Sequence, residues 1–325
     1  MPDDPYISTG SLPPAADVQA LLDEAHARFA GIADGETSDV YPALAVVPPD
    51  LFGIAVASTD RTVLTTGDAQ HAFTIMSVAK PFVFALVCDR LGADLLRDRI
   101  GVNGTGLPFN SLAAVEHSAD GRTNPMVNAG AIATTSLVPG ATVAERWAFV
   151  RDGLSAFAGR ALDLDEEILA SARATNARNQ GLARLLQSYG RLYADPAEAV
   201  DLYTGQSALS VTARDLAVMG ATLADGGVNP VTGRRVVDAA TCHATLAVMV
   251  TAGLYETSGD WFYDVGLPAK SGIGGGLVTV SPGKGGMGTF APRLDAAGNS
   301  VRGALVARHL SARLGTDLLL SAPDR

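Results

Sequence analysis

Ser77-Val78-Ala79-Lys80-Pro81 is the stretch on which the reading of this chain turns. Positions i and i+3 of a helix share one face, so a helix beginning here brings a hydroxyl and an amine together. Pro81 fixes where that helix begins. It has no N–H and would damage a helix interior, but in the first turn it sacrifices at most one intrahelical bond, which puts Ser77 at the helix start. The free backbone N–H groups beside Ser77 can then stabilise an oxyanion. Lys80, desolvated and near the positive end of the helix, should have a lowered pKa and be able to accept the serine proton. The same five residues also fit a surface serine and lysine on an ordinary helix, because a serine and lysine at this spacing recur by chance.

Outward from this stretch, the chain divides into a helical middle and two ends that read as mixed helix and strand. Before it, Val18, Leu21, Leu22, Ala25 and Phe29 recur at helical spacing, and Phe52 to Ser58 and Val63 to Thr66 flank a turn at Thr59-Asp60-Arg61. After it, 77–225 is punctuated by helix-start signals. Thr142 with Glu145 and Thr212 with Asp215 have the spacing of capping boxes, and Asp195-Pro196 offers an N-cap followed by proline at the first helical position. Gly226-Gly227 ends the last of these helices. A helix over about 238–252, strands at Leu277 to Val280 and Met287 to Ala291, and a helix near 300–314 complete the pattern. The expected fold is α/β: a sheet assembled from both chain ends (17–76 plus 228–325), flanked by helices, with a large helical insert (77–227) and a cleft where insert and sheet meet. Residues 1–16, with four prolines, read as a flexible leader to the domain 17–325.

Bulk properties narrow the function. The 325 residues are 47% hydrophobic and 18% charged with a net charge of −10, so no cation surplus exists to engage nucleic acid or an anionic membrane surface. The N-terminus is acidic and proline-rich, unlike a signal or transit peptide, which points to the cytoplasm. The apolar run Pro81 to Cys88 is far shorter than the ~20 residues a membrane span needs and reads as a buried helix. Cys88 and Cys242 have no metal or redox spacing and read as buried thiols.

Lys270-Ser271-Gly272 is the second chemical element. Penicillin-recognising serine hydrolases pair a serine and lysine at this spacing with a Lys-Thr-Gly strand, and Lys-Ser-Gly carries the same polar atoms. Glycines at 272 and 274–276 allow close approach of a substrate to the strand edge, leaving the Ile273 N–H as a second oxyanion donor. A phosphate-binding loop would need glycine at Ala269, and a dinucleotide fingerprint would need it at Leu277.

Further blocks carry a resemblance. Asn124 to Ile132, Leu216 to Gly233, Gly253-Leu254-Tyr255, Gly266 to Gly272 and Ala297 to Gly303 are similar to the bacterial glutaminase family, over about Asp17 to Leu314. The resemblance implies a β-lactamase-like fold and hydrolysis of L-glutamine to L-glutamate and ammonia through an acyl-enzyme. It implies no metal or organic cofactor, and a homodimer or homotetramer. Carried over by motif, Ser77 is the nucleophile, Lys80 the base, and the Ser77 and Ile273 backbone the oxyanion hole. Asn128, Asn179 and Tyr203 match residues holding the amino-acid end of glutamine, and Tyr255 matches a tyrosine beside the scissile amide that can relay a proton to the leaving ammonia. Read without the resemblance, the two tyrosines could be packing aromatics with hydroxyls in water, and Asn128 could merely cap a helix.

Three positions depart from the family pattern. Ala172 stands where the family has a glutamate that pairs with the substrate ammonium, seven residues before Asn179, while Glu166 and Glu167 fall in a preceding acidic stretch that faces solvent. In Ser38-Asp39-Val40-Tyr41-Pro42 the family's tyrosine position holds Val40, and Tyr41, one residue along, points elsewhere unless the loop shifts. Gly285-Gly286 occupy a strand that is normally aliphatic. Acyl transfer is thus preserved and recognition of the α-amino end is weakened or altered. Three readings follow: a glutaminase, a serine hydrolase acting on an amide or ester with no free ammonium, or a non-catalytic binding protein on a degenerate glutaminase fold.

Overall fold

The computed structural model describes residues 10–320. Seven strands are present among them: β1 (Gly53–Ser58), β2 (Val63–Gly67), β3 (Phe73–Thr74), β4 (Ser210–Val211), β5 (Ala269–Ser271), β6 (Gly276–Ser281) and β7 (Gly285–Phe290). Five form an antiparallel sheet in the order β2-β1-β7-β6-β5. β1 comes from the N-terminal part and β7 from the C-terminal part, and they pair directly, with Ala55 opposite Gly288 and Ala57 opposite Gly286. The sheet is therefore built from both ends of the chain, as the pattern predicts. β3 and β4 form a separate short pair that ties the segment before Ser77 to the segment before the helix Ala213–Ala224.

Side chains alternate across a strand, so the sheet has two distinct faces. Ile54, Val56, Leu277 and Met287 face the helices Ala15–Phe29 and Val301–Arg313, packing with Val18, Leu22, Val306 and Leu310. The opposite face presents Ala55, Ala57, Val278 and Val280 to the helix Ala213–Ala224, which lies along β1, β6 and β7. The floor under this helix is made of small residues. A methyl group at Gly286 would overlap the backbone of Ala217, Gly220 and Ala221, and one at Gly288 the backbone of Ala213 and Ala217. This accounts for glycine in a strand where an aliphatic residue was expected: the helix occupies the space the side chain would fill.

The helix Ala79–Leu91 runs through the other side of the molecule with every residue from Ala79 to Cys88 buried. It packs against the helices Asn128–Thr135, Val143–Ala158 and Ala239–Ala252. A helix apolar all round belongs in a core, and the Phe82 ring of this one meets that of Phe157 with centroids 5.1 Å apart. Both capping boxes form, Thr142 with Glu145 and Thr212 with Asp215, and Asp195 caps the helix that begins at Pro196. Cys88 and Cys242 are buried free thiols. Of the leader expected at 1–16, residues 1–9 lie outside the described residues, and the first helix already includes Ala15 and Ala16. Among the described residues no helix is long and apolar enough to cross a membrane.

Candidate active site

Ser77 sits in a single 3-10 turn, Met76–Val78, that leads directly into the helix Ala79–Leu91. The residue before it, Met76, has a left-handed backbone with φ of 48°. That conformation costs a non-glycine residue about 1–3 kcal/mol and is found where a turn must aim the next group. Tyr255 is the other buried non-glycine residue with positive φ, at 60°. Neither distortion was legible from residue type.

The end of β5 closes onto the Ser77 turn. A Cβ on Gly272 would stand 3.1 Å from the Ile75 carbonyl oxygen and 3.2 Å from the Ser77 nitrogen, so glycine is what permits this approach. Ile273 is thereby brought to the cleft beside Ser77. Among the described residues, the backbone N–H groups of Ser77 and Ile273 donate to no protein acceptor. Two free donors side by side at a serine hydroxyl can hold an oxyanion.

Lys80 is 2% exposed, and no carboxylate lies within ion-pair distance of it among the described residues. Burial lowers its pKa to about 7. Its Nζ donates to Asn128 Oδ1 at 2.7 Å. The Tyr203 hydroxyl donates to the same Oδ1 at 3.0 Å. Asn128 Nδ2 donates to Asn179 Oδ1 at 3.0 Å, Asn179 Nδ2 to Asn176 Oδ1 at 2.7 Å, and Asn176 Nδ2 to Thr204 Oγ1 at 2.7 Å. One buried series of hydrogen bonds thus runs from the lysine to the far wall of the cleft, with each amide held on both sides. Asn128 is not a cap: Val127 occupies that position, and the Asn128 side chain is used entirely inside the site.

Tyr255 is buried against Lys270, whose Nζ lies 3.9 Å from the ring centroid and donates to the Ser271 carbonyl oxygen at 2.7 Å. The Tyr255 hydroxyl donates to that same oxygen at 3.3 Å. Burial pushes the phenol up to about 12, with the hydroxyls of Ser77 and Ser271 beside it opposing part of the rise. Burial, and repulsion from Lys80, hold Lys270 well below its usual range. Both tyrosine hydroxyls are therefore committed to the site rather than to water.

Ser77, Asn128, Asn179, Tyr203 and Ile273 line the cleft, whereas Lys80 and Tyr255 lie beneath its floor. Ala172 also lines it, from the helix Glu166–Ala174, but Asn179 is on the next helix, Ala177–Ser188. The backbone turns at Thr175 and Asn176, so the two positions face one cavity from two helices and not from one. Tyr41 turns into the site. It lines the cleft and does not point away; burial, with the Tyr41 and Tyr255 phenols adding to it, holds the Tyr203 hydroxyl well above its usual range. Asn176, Thr204 and Arg178 were not singled out from the sequence; the Asn176–Asn179 spacing of three was the available signal for the first.

The chain matches the family model described as glutaminase over residues 35–319. It is 63% identical over 318 residues to glutaminase 2 of Yersinia pestis, covering 98% of this chain and 94% of the relative. It is 48% identical over 301 residues to a glutaminase of Brucella suis, covering 93% and 95%. Among solved structures, a probable glutaminase, YbaS, superposes with a TM-score of 0.93 at 41% identity, covering 95% of this chain and all of that one. Mglu in its glutamate form superposes with a TM-score of 0.88 at 38% identity, covering 94% and 71%.

Proposed function

The chain belongs to the glutaminase family and hydrolyses L-glutamine to L-glutamate and ammonia, and we propose that Ser77 carries the acyl group in that reaction. The observation that carries this reading is the placement of one hydroxyl between two free amides and a buried amine. Neutral Lys80 accepts the Ser77 proton as Oγ attacks the carbonyl of the glutamine side-chain amide, and the oxygen that becomes negative takes hydrogen bonds from the Ser77 and Ile273 N–H groups. Collapse breaks the C–N bond, and Tyr255, beside Ser77, relays the proton the departing ammonia needs. Water then attacks the ester, returning the proton to Ser77 and releasing glutamate. Asn128, Asn179 and Tyr203 hold the amino-acid end. Removing Ser77 or Lys80 by alanine substitution should lower turnover ~10⁴-fold, and the double substitution should cost little beyond either alone, because nucleophile and base act as a unit. Near-normal ammonia release by Ser77→Ala would end this mechanism.

The proposal extends to a homodimer or homotetramer in the cytoplasm, supported by the family resemblance. It also extends to a division into an α/β part (17–76 and 228–325) and a helical part (77–227) that meet at the cleft.

A further inference from the structure

The stretch Ala297 to Gly303 lies outside the cleft, yet one of its side chains reaches two elements that serve the reaction. Asn299 is 5% exposed and sits in the loop before the helix Val301–Arg313. Its backbone is fixed at both polar atoms: the N–H donates to Asp295 Oδ1 at 2.9 Å, and the carbonyl oxygen accepts from the Asp295 N–H at 2.8 Å. Its side chain joins two separate elements. Oδ1 accepts from the Ser271 hydroxyl at the end of β5, and Nδ2 donates to Thr257 Oγ1 at 3.2 Å. The neighbours set the direction of each bond. Thr257 gives its own hydroxyl proton to the Leu254 carbonyl oxygen at 2.7 Å, so from Asn299 it can only accept. That turns the amide oxygen toward Ser271.

Each end of this bridge leads to a group the reaction uses. Ser271 is two residues before Ile273, whose N–H is one of the two oxyanion donors, and the Ser271 carbonyl oxygen accepts from the Tyr255 hydroxyl at 3.3 Å. Thr257 closes the 3-10 turn Tyr255–Thr257. Tyr255 has φ of 60° in that turn, a conformation a tyrosine keeps only where its surroundings impose it. Ser258 Oγ secures the turn from within, donating to the Tyr255 carbonyl oxygen at 2.8 Å and accepting from the Leu254 N–H at 3.1 Å. Asn299 ties the same turn to the strand. An apolar side chain in its place would leave the fully buried Ser271 hydroxyl without its acceptor and the turn without its anchor.

From this bridge we propose that Asn299 is a positioning residue: it holds the Tyr255 phenol and the Ile273 N–H at one fixed separation, so that proton relay and oxyanion donor meet the same amide. The proposal rests on the Ser77 mechanism above. Asn299 is not itself among the residues that line the cleft, so it acts through Ser271 and Thr257.

The test compares L-glutamine, whose nitrogen must be protonated as it leaves, with the γ-(S-ethyl) thioester of L-glutamate, whose sulfur leaves as the thiolate. Both substrates need the oxyanion donors. Asn299→Leu should lower kcat/KM for glutamine ~10²-fold, the scale of a reacting group misplaced by about 1 Å, and for the thioester ~10-fold or less. Thr257→Val cuts the bridge at its other end, leaves Ser271 paired, and should shift the ratio of the two values in the same direction by at least ~5-fold, the scale of one neutral hydrogen bond. Thr257→Ser, which keeps the hydroxyl, should recover most of that shift. A residue needed only for folding would depress both substrates equally, so an unchanged ratio in either variant overturns the proposal. Should Asn299→Leu not fold, the Thr257 pair decides. Tyr255→Phe, run alongside, separates the causes. If it leaves the ratio unchanged, the phenol is not the proton relay, and that part of the mechanism falls with the proposal. If it shifts the ratio and the Asn299 and Thr257 variants do not, the proposal alone fails.

Discussion

Lys80 meets two opposed requirements, since charged it cannot serve as a base and buried it cannot easily stay charged. Its pKa of about 7 places the change of state near neutrality. If neutral Lys80 is the base, log kcat/KM should fall by about one per pH unit below ~6 and level off above ~8. A flat profile from pH 5 to 8 would remove Lys80 from that role. The same lowered pKa has a consequence for stability. In the unfolded state the amine titrates near ~10.4, so between about pH 10 and 7 the unfolded state binds a proton that the native state does not. Stability is therefore highest above the unfolded pKa, is lost as pH falls toward 7, and changes no further below it. Lys80→Met, similar in volume, should raise the melting temperature, and by more at pH 7 than at pH 10. Asn128 Oδ1 keeps the Tyr203 hydroxyl as a donor in that variant. A melting temperature that drops at both pH values would show the amine to be better compensated than its surroundings indicate. At this scale the sequence singled out Ser77 and Lys80 by spacing, Ile273 by the glycines around it, and Asn128, Asn179, Tyr203 and Tyr255 by resemblance. It left the direction of Tyr41 open and missed Asn176, because both depend on loop conformation: the entry to Pro42, and a turn at 175–176. One residue of backbone rotation decides which way Val40 and Tyr41 face, and no periodicity encodes that.

The helix Ala213–Ala224 and strand β7 fit together by the absence of side chains, and the fit gives a contrasting pair of predictions. Gly286→Ala puts a methyl group against helix backbone that cannot yield, so it should destabilise the protein by about 3 kcal/mol or more. Gly181 sits inside the helix Ala177–Ser188 with open space where its Cβ would be, and Gly181→Ala should stabilise by about 0.5–1 kcal/mol through helix propensity. Denaturant unfolding of both variants checks the signs, and a neutral Gly286→Ala would mean that the helix can lift from the sheet. Helix boundaries were the most legible elements, because a Thr-x-x-Glu, Thr-x-x-Asp or Asp-Pro start is chemical and local. The two-residue strands β3 and β4 were not legible, since their pairing depends on tertiary neighbours rather than on any pattern of their own.

At the scale of the whole molecule, what could be read in advance was the order of layers: strands, helices, strands. The partner of each strand could not be read so directly, because antiparallel neighbours far apart in sequence share no local signal. The pairing of β1 with β7 has a consequence in time. Ala57 must wait for Gly286, and at ~5–20 residues per second of synthesis that wait is on the order of ten to fifty seconds. By its end Ser77, Lys80 and most of the helices exist as polypeptide, yet β1 has only β2 beside it and the helix Ala213–Ala224 has no floor to lie on. Ser77 and Lys80 are among the first parts made and among the last to be held in place. A nascent polypeptide halted before Gly285 carries the chemical groups of the site without the sheet that aims them, and offers the unpaired edge of β1 to whatever strand arrives first.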